Sequence, residues 1–324
     1  MNAMRVVLFG ECMIEFRNEA PSLMRQSFSG DTLNTAVYLR RLAGAAYSVC
    51  YASAVGADDP FSAAMLASWQ AEGIDTRYVS RRPGELPGIY TIQVDSKGER
   101  AFSYWRQNSA ARNYFEDATT PLERAIEEVD VFYLSGISLA ILPPPGRHRL
   151  MALLARLRAS GALIVFDNNY RARLWSSAAE ARAAYQQAYA LADIALVTLS
   201  DEMEIDQHTD EAAAIAALYR YPCKELVIKR GAGSTLVRLA NGARRDDTPG
   251  GAIGSDADTY LDIPVEPVDN VVDTTAAGDS FGAGYLSARL RGQSPAAAAK
   301  AGNRLAAAVI QHPGAIIALD NMPF

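Results

Sequence analysis

The residues best suited to chemistry lie near the C-terminus, in Asp273-Thr274-Thr275-Ala276-Ala277-Gly278-Asp279-Ser280-Phe281-Gly282-Ala283-Gly284. Small residues precede apolar Phe281, Tyr285 and Leu286 at helical spacing, so a helix is expected to begin here. Small side chains let the N–H groups of Ala276, Ala277 and Gly278 converge on one point, and a helix N-terminus adds partial positive charge there. A phosphate group is the natural occupant. Asp279 falls in the first turn, beside that anion site. A carboxylate so placed can take the proton of a hydroxyl as it attacks a γ-phosphate. The helix dipole is expected to keep it ionised at neutral pH. The plainer alternative is that Asp279 only caps the helix.

The elements that would position this turn can be read from periodicity. Arg5 to Gly10 is a short apolar run ending in glycine and reads as a buried first strand. Thr32 to Ala43 has helical spacing, with Asp31 placed to cap it. Tyr51 to Val55 reads as a strand and Pro60 to Glu72 as a helix. Strand-like residues between Gly88 and Gln107 flank Asp95-Ser96-Lys97-Gly98, a hairpin turn signal. Strands are then expected at Val131–Leu134, Leu163–Phe166, Ile194–Leu199 and Leu226–Ile228, alternating with helices at Arg147–Ala159, Ala178–Ala192 and Glu211–Tyr219. Such alternation predicts an α/β fold with a mainly parallel central sheet and helices on both faces. Ala240 to Asp262 reads as loops and an edge hairpin. Helices at Gly278–Leu290 and Pro295–Gln311 close the chain. The hairpin near residue 90 interrupts the α/β rhythm and reads as part of a small β lid.

Composition narrows the field. With 324 residues, 49% of them hydrophobic and 21% charged, the chain can bury the core of one large α/β domain. A net charge of −6 without a basic stripe argues against nucleic acid as a partner. Cys12, Cys50 and Cys223 match no disulfide or metal spacing, which suits a cytoplasmic protein. His148, His208 and His312 show no ligand spacing, so no metal ligand is assigned. No apolar run is long enough for a membrane span.

The Asp273–Asp279 segment resembles the second signature of the ribokinase-like (phosphofructokinase B) carbohydrate kinases, in which a general-base aspartate ends an Asp-Thr-x-Gly-Ala-Gly-Asp run. Ala276 stands here for the first glycine, and the form with two alanines is similar to the subgroup acting on 2-dehydro-3-deoxygluconate, a keto-deoxy sugar acid. The resemblance runs along nearly the whole chain. It includes Gly10-Glu11-Cys12-Met13-Ile14-Glu15, Gly30-Asp31-Thr32-Leu33-Asn34-Thr35-Ala36, Pro87-Gly88-Ile89-Tyr90 and Tyr104-Trp105-Arg106. It continues through Leu134-Ser135-Gly136-Ile137-Ser138, Asp167-Asn168-Asn169-Tyr170-Arg171, Val227-Ile228-Lys229-Arg230-Gly231 and Gly314-Ala315-Ile316-Ile317. It implies one ribokinase-like domain over residues 1–324, with a lid at roughly 12–30 and 86–108.

The resemblance also implies site roles. Asp279 would be the base, with Ala276, Ala277 and Gly278 holding the transferred phosphoryl group. Asp31 and Asn34, three apart at a helix start, would contact sugar hydroxyls, with Gly30 allowing close approach. Tyr104 and Arg106, two apart on a strand, would face the substrate; Tyr90 would lie on the partner strand, while Trp105 points away and packs. Arg171 would hold either the sugar acid or the transferring phosphate. Arginines at 106 and 171 together favour an acid over a neutral sugar such as fructose or a pentose. The Lys229, Gly231, Ala232 and Gly233 loop would line the ATP site, with Asn169, Ser200 and Asn303 as further nucleotide contacts. That loop lacks the ending of a P-loop.

The chain departs from the pattern at the metal-placing Asn-x-x-Glu: Ser200 and Met203 stand at those two positions. Glu202 or Glu204 could substitute through water, and Mg2+ is still expected because it travels with ATP. A monovalent cation near Asp273 and the Gly314-Ala315 loop, and a homodimer through the lid, are further family expectations. A non-catalytic sugar-binding regulator would have lost the base, and Asp279 is present. A dinucleotide enzyme would need Gly-x-Gly-x-x-Gly after the first strand, which Gly10-Glu11-Cys12 does not supply.

Overall fold

The computed structural model describes residues 3–20, 22–94, 100–241 and 257–324. Its centre is a nine-stranded sheet in the order β13-β12-β11-β10-β9-β8-β1-β4-β5. The strands are β1 (Met4–Phe9), β4 (Tyr47–Gly56), β5 (Asp75–Arg82), β8 (Val131–Ser135), β9 (Leu163–Asp167), β10 (Ile194–Thr198), β11 (Glu225–Lys229), β12 (Thr235–Leu239) and β13 (Thr259–Ile263). All pairings from β5 to β11 are parallel, and β12 and β13 add an antiparallel edge. The expected α/β architecture is therefore the one observed.

The apolar runs explain this sheet. In β1, Val7 and Phe9 enter one core layer while Val6 and Leu8 enter the other, because successive side chains alternate across a strand. Helices α1 (Asp31–Ala43), α2 (Pro60–Ala71), α8 (Ala277–Leu290) and α9 (Pro295–Val309) cover one face. Helices α3 (Gly136–Ile141), α4 (Pro144–Ala159), α5 (Ala178–Leu191), α6 (Leu199–Asp206) and α7 (Glu211–Leu218) cover the other. Helix starts follow the local chemistry: the Asp59, Ser177, Asp210 and Ser294 side chains each accept a first-turn N–H.

A second sheet of four strands, in the order β3-β2-β6-β7, is built from β2 (Met13–Ala20), β3 (Leu23–Ser29), β6 (Ile89–Val94) and β7 (Arg100–Trp105). Met13, Tyr90, Ile92 and Tyr104 pack together on it. The Tyr90 and Tyr104 rings stack with centroids 5.6 Å apart.

Three local expectations need correction. Asp31 does not cap α1: extended Gly30 is the N-cap, so Asp31 is already helical and its carboxylate turns to Asn169. Trp105 does not pack: it is 59% exposed, on β7 at the edge of that sheet. Leu199 opens α6 rather than ending β10. The Asp95–Gly98 turn lies outside the described residues, as does most of the 240–262 interval; within that interval the edge strand starting at Thr259 is present. Among the described residues no helix is long and apolar enough to cross a membrane.

Gly136 tests the packing at the carboxyl end of β8. A Cβ there would stand 1.8 Å from the Tyr185 hydroxyl and 2.0 Å from the Asn168 carbonyl oxygen. Gly136→Ala is expected to cost about 1–3 kcal/mol, read from the denaturant midpoint. An unchanged midpoint would contradict this packing.

Candidate active site

The carboxyl ends of the parallel strands open onto two adjoining cavities, where ligands collect in open α/β sheets. The first, about 460 Å³, lies between the two sheets and is lined by Gly30, Asp31, Tyr90, Tyr104, Arg106, Asp167, Asn169, Arg171, Arg173, Asp201 and Asp279. The second, about 440 Å³, is lined by Arg230, Gly231, Ala232, Thr235, Val265, Pro267, Val268, Val271, Asn303, Ala306, Ala307 and Ile310. Thr198, Lys229, Thr274, Ala277 and Gly278 border both. The small-residue turn is thus the wall between them.

Asp273 anchors that turn by accepting the N–H groups of Thr275 (2.9 Å) and Gly314 (3.0 Å). Ala276 sits in the left-handed region, φ 60° and ψ 16°, where an L-residue pays about 1–2 kcal/mol. Glycine would adopt this conformation freely, so the alanine stores strain at the place where backbone amides must converge. The Ala277 N–H closes onto Thr274 O at 3.2 Å. That leaves the Ala276 and Gly278 N–H groups, rather than all three amides, open to a ligand.

Asp279 faces the first cavity only. Its Oδ2 accepts Asn34 Nδ2 at 2.9 Å, and its backbone carbonyl accepts the Thr35 hydroxyl at 3.2 Å. Burial, reinforced by the charge of Asp31, pushes its carboxyl up to about 7. Asn34 and Lys229 pull in the opposite direction but do not win. The expectation that the helix dipole keeps Asp279 fully ionised at neutral pH is therefore corrected: desolvation outweighs the dipole. Burial likewise raises Asp31.

The remaining residues sort by cavity. Asn34 is buried: its amide is spent on Asp279 and its Oδ1 on the Ser29 hydroxyl at 3.3 Å, so it holds the carboxylate instead of lining the cavity. Asn169 lines the first cavity, not the second, and donates to Asp31 at 2.8 Å from a left-handed backbone with φ 25°. Ser200 is exposed on α6 and lines neither cavity; Gly233 does not reach the second cavity's wall either. Arg106 is buried in an ion pair with Glu11, its Nε 2.8 Å from Glu11 Oε2. The Tyr90 hydroxyl donates to Glu15. Arg171 reaches Asp201 at 3.6 Å.

Glu202 and Glu204 do not stand in for the missing glutamate. The first turn of α6 aims Glu202 into the core, where it accepts the Tyr189 hydroxyl at 2.7 Å and burial raises it to about 7; Glu204 is exposed. Met203 packs against the core. The acid that α6 offers to the cavity is Asp201. Among the described residues no group of three or more His, Cys, Asp or Glu side chains could hold a metal. Sequence reasoning missed Glu11, Asp167, Asp201 and Arg173. Arg173, two residues after Arg171, lies over the Tyr104 ring at 3.9 Å.

A family model described as pfkB family carbohydrate kinase matches residues 3–322. The chain is 44% identical over 328 residues to 2-dehydro-3-deoxygluconokinase of Dickeya dadantii (strain 3937), covering 100% of each. It is 43% identical over 323 residues to 2-dehydro-3-deoxygluconokinase of Escherichia coli (strain K12), covering 98% of this chain and 99% of that one. Among solved structures, aminoimidazole riboside kinase from Salmonella enterica, complexed with aminoimidazole riboside and an ATP analog, superposes with a TM-score of 0.76. That match has 22% identity and covers 97% and 96% of the two chains, so it concerns the fold.

The pH dependence follows from Asp279. If Asp279 is the base that the resemblance implies, it must be deprotonated, so kcat/KM is expected to rise with pH through about 7; a flat acid limb there would contradict that role. Its folded pKa lies above the ordinary aspartate value of 3.8, so the stability it lends is full in acid and lost as pH rises through about 7. Asp279→Asn should therefore raise the melting temperature on the alkaline side and leave it nearly unchanged in acid. Destabilisation on the alkaline side would contradict this.

Proposed function

The chain belongs to the pfkB family of carbohydrate kinases, and we propose that it transfers the γ-phosphoryl group of ATP to the 6-hydroxyl of 2-dehydro-3-deoxy-D-gluconate, giving 2-dehydro-3-deoxy-6-phospho-D-gluconate and ADP. One observation carries the reading: the amide turn Ala276–Gly278 walls two cavities apart, and the Asp279 carboxylate stands on one side of it only. That arrangement suits a donor and an acceptor meeting at one phosphoryl group.

The second cavity fits a nucleotide. Its apolar walls, Val268, Val271, Ala306 and Ile310, suit a flat base. The Asn303 Nδ2 is buried without an acceptor among the described residues, a donor for a base nitrogen. The phosphate chain would follow Gly231 and Ala232 to the Ala276 and Gly278 amides. The acceptor alcohol enters from the first cavity. Its oxygen attacks Pγ, the bond from Pγ to the β,γ-bridging oxygen breaks, and the hydroxyl proton passes to Asp279. Asn34 fixes the carboxylate for that transfer. Asp31 and Asn169 offer polar contacts to hydroxyls, and Arg106 and Arg171 offer guanidinium groups to a substrate carboxylate. Mg2+ accompanying ATP would neutralise phosphate charge, and the cavity carboxylate of Asp201 would offer it the oxygen ligand it prefers.

The proposal extends to the surroundings. The four-stranded sheet, at roughly 12–30 and 86–108, acts as a lid that excludes water during transfer. Among the described residues its edge strands β3 and β7 leave pairing groups open, and exposed Phe102 and Trp105 support a homodimer through the lid. The three unpaired, buried cysteines support a cytoplasmic setting. We further propose a monovalent cation beside Asp273 and the Gly314–Ala315 turn, as in the family resemblance.

Coupled measurement of ADP release across a sugar panel tests the proposal. Turnover is expected with the keto-deoxy acid and much less with fructose; equal turnover on both would overturn the substrate assignment. Asp279→Asn should lower kcat by about 100-fold or more while leaving ATP affinity largely intact. Retained kcat would place the base elsewhere.

A further inference from the structure

Lys229 ends β11 and is 9% exposed. Its Nζ lies 3.0 and 3.2 Å from the two carboxylate oxygens of Asp167, at the end of β9. The Tyr133 hydroxyl donates to the same carboxylate at 3.1 Å. The ammonium therefore reaches across the end of β10, which lies between the two strands. A buried lysine–aspartate pair recovers little of its desolvation cost by itself, so stability alone explains it poorly.

Its position is more informative. Among the described residues, Lys229 is the one cationic side chain that borders both cavities. Arg106, Arg171 and Arg173 border only the first, and Arg230 borders only the second while donating to Ser234. The ammonium also lies against the anion turn: a methyl group on Gly278 would be 3.6 Å from Nζ. Meanwhile α6 brings no metal-placing asparagine or glutamate to this point, since Ser200 is turned to solvent and Met203 to the core. Of the described cations, Lys229 is thus the one at the boundary between the two cavities.

Resting on the phosphoryl-transfer reading above, we infer that Lys229 is a catalytic residue: held by Asp167, its ammonium donates to the equatorial oxygens of the phosphoryl group as that group passes from ADP to the acceptor alcohol. The proton still goes to Asp279 and the bond broken is still the one to the β,γ-bridging oxygen. Lysine supplies charge alone. An ammonium has three donors in a rotatable head, so it can keep one on Asp167 and turn another to the phosphoryl oxygens. Donors aimed at developing charge act most strongly in a water-excluded site.

The test compares ground state with transition state. Wild-type ADP release with the keto-deoxy acid is measured first; absence of turnover there would sink the kinase reading itself, separately from this inference. Lys229→Met is then assayed for kcat and, by calorimetry, for affinity toward ADP alone and toward ADP with aluminium fluoride and the sugar acid. We expect kcat and affinity for the fluoride complex each to fall by about 100-fold or more, and ADP affinity to change by about threefold or less. If both affinities fall by the same factor, or kcat stays within about fivefold of wild type, the inference fails. The unpaired Asp167 could unfold Lys229→Met. The double variant Lys229→Met/Asp167→Asn, compared with Asp167→Asn alone, removes that charge and is held to the same two outcomes.

Discussion

The hydrogen bond from Asn34 to Asp279 is the contact on which the rest of the site depends. It joins the first turn of α1 to the first turn of α8, two helices packed on the same face of the sheet. It presents a carboxylate to the first cavity while holding it in low-dielectric surroundings. That environment raises its proton affinity, which a base needs if it is to take a proton from an alcohol near neutrality. The same burial works against stability once the group ionises. Activity and stability are therefore set against each other at this residue.

Around that bond the architecture divides labour between two cavities. The turn at Ala276–Gly278 separates them and is accessible from both. Its left-handed alanine costs conformational energy, and α8 and the Asp273 anchor hold it in place. The first cavity concentrates charge of both signs, with Asp31, Asp167 and Asp201 facing Arg106, Arg171 and Arg173. The second is mostly apolar. This contrast suits a polar acceptor on one side and a flat aromatic base on the other.

Much of this was legible in the sequence because it is local. The anion turn and Asp279 occupy one continuous segment whose small residues announce converging amides. Tyr90 and Tyr104 follow from strand periodicity and a hairpin, and they do stack. Other features depend on distance or phase. Asp167 and Lys229 meet across an intervening strand, and no local pattern records that. Asp201 faces the cavity and Glu202 the core because α6 begins at Leu199, one residue earlier than the strand pattern suggested. Asn34 looked like a sugar contact because its partner is 245 residues away. Trp105 points away from Tyr104 and Arg106 as expected from strand alternation, but at the edge of the sheet it is exposed instead of packed.

The central claim is that Asp279 is a carboxylate poised near neutrality beside the amide turn. Direct titration by carbon NMR of protein labelled at the aspartate carboxyl tests it most closely, with Asp279→Asn used to assign the resonance. The account predicts one signal, missing from that variant, with a midpoint at about 7. A midpoint near the ordinary aspartate value of 3.8 would contradict it.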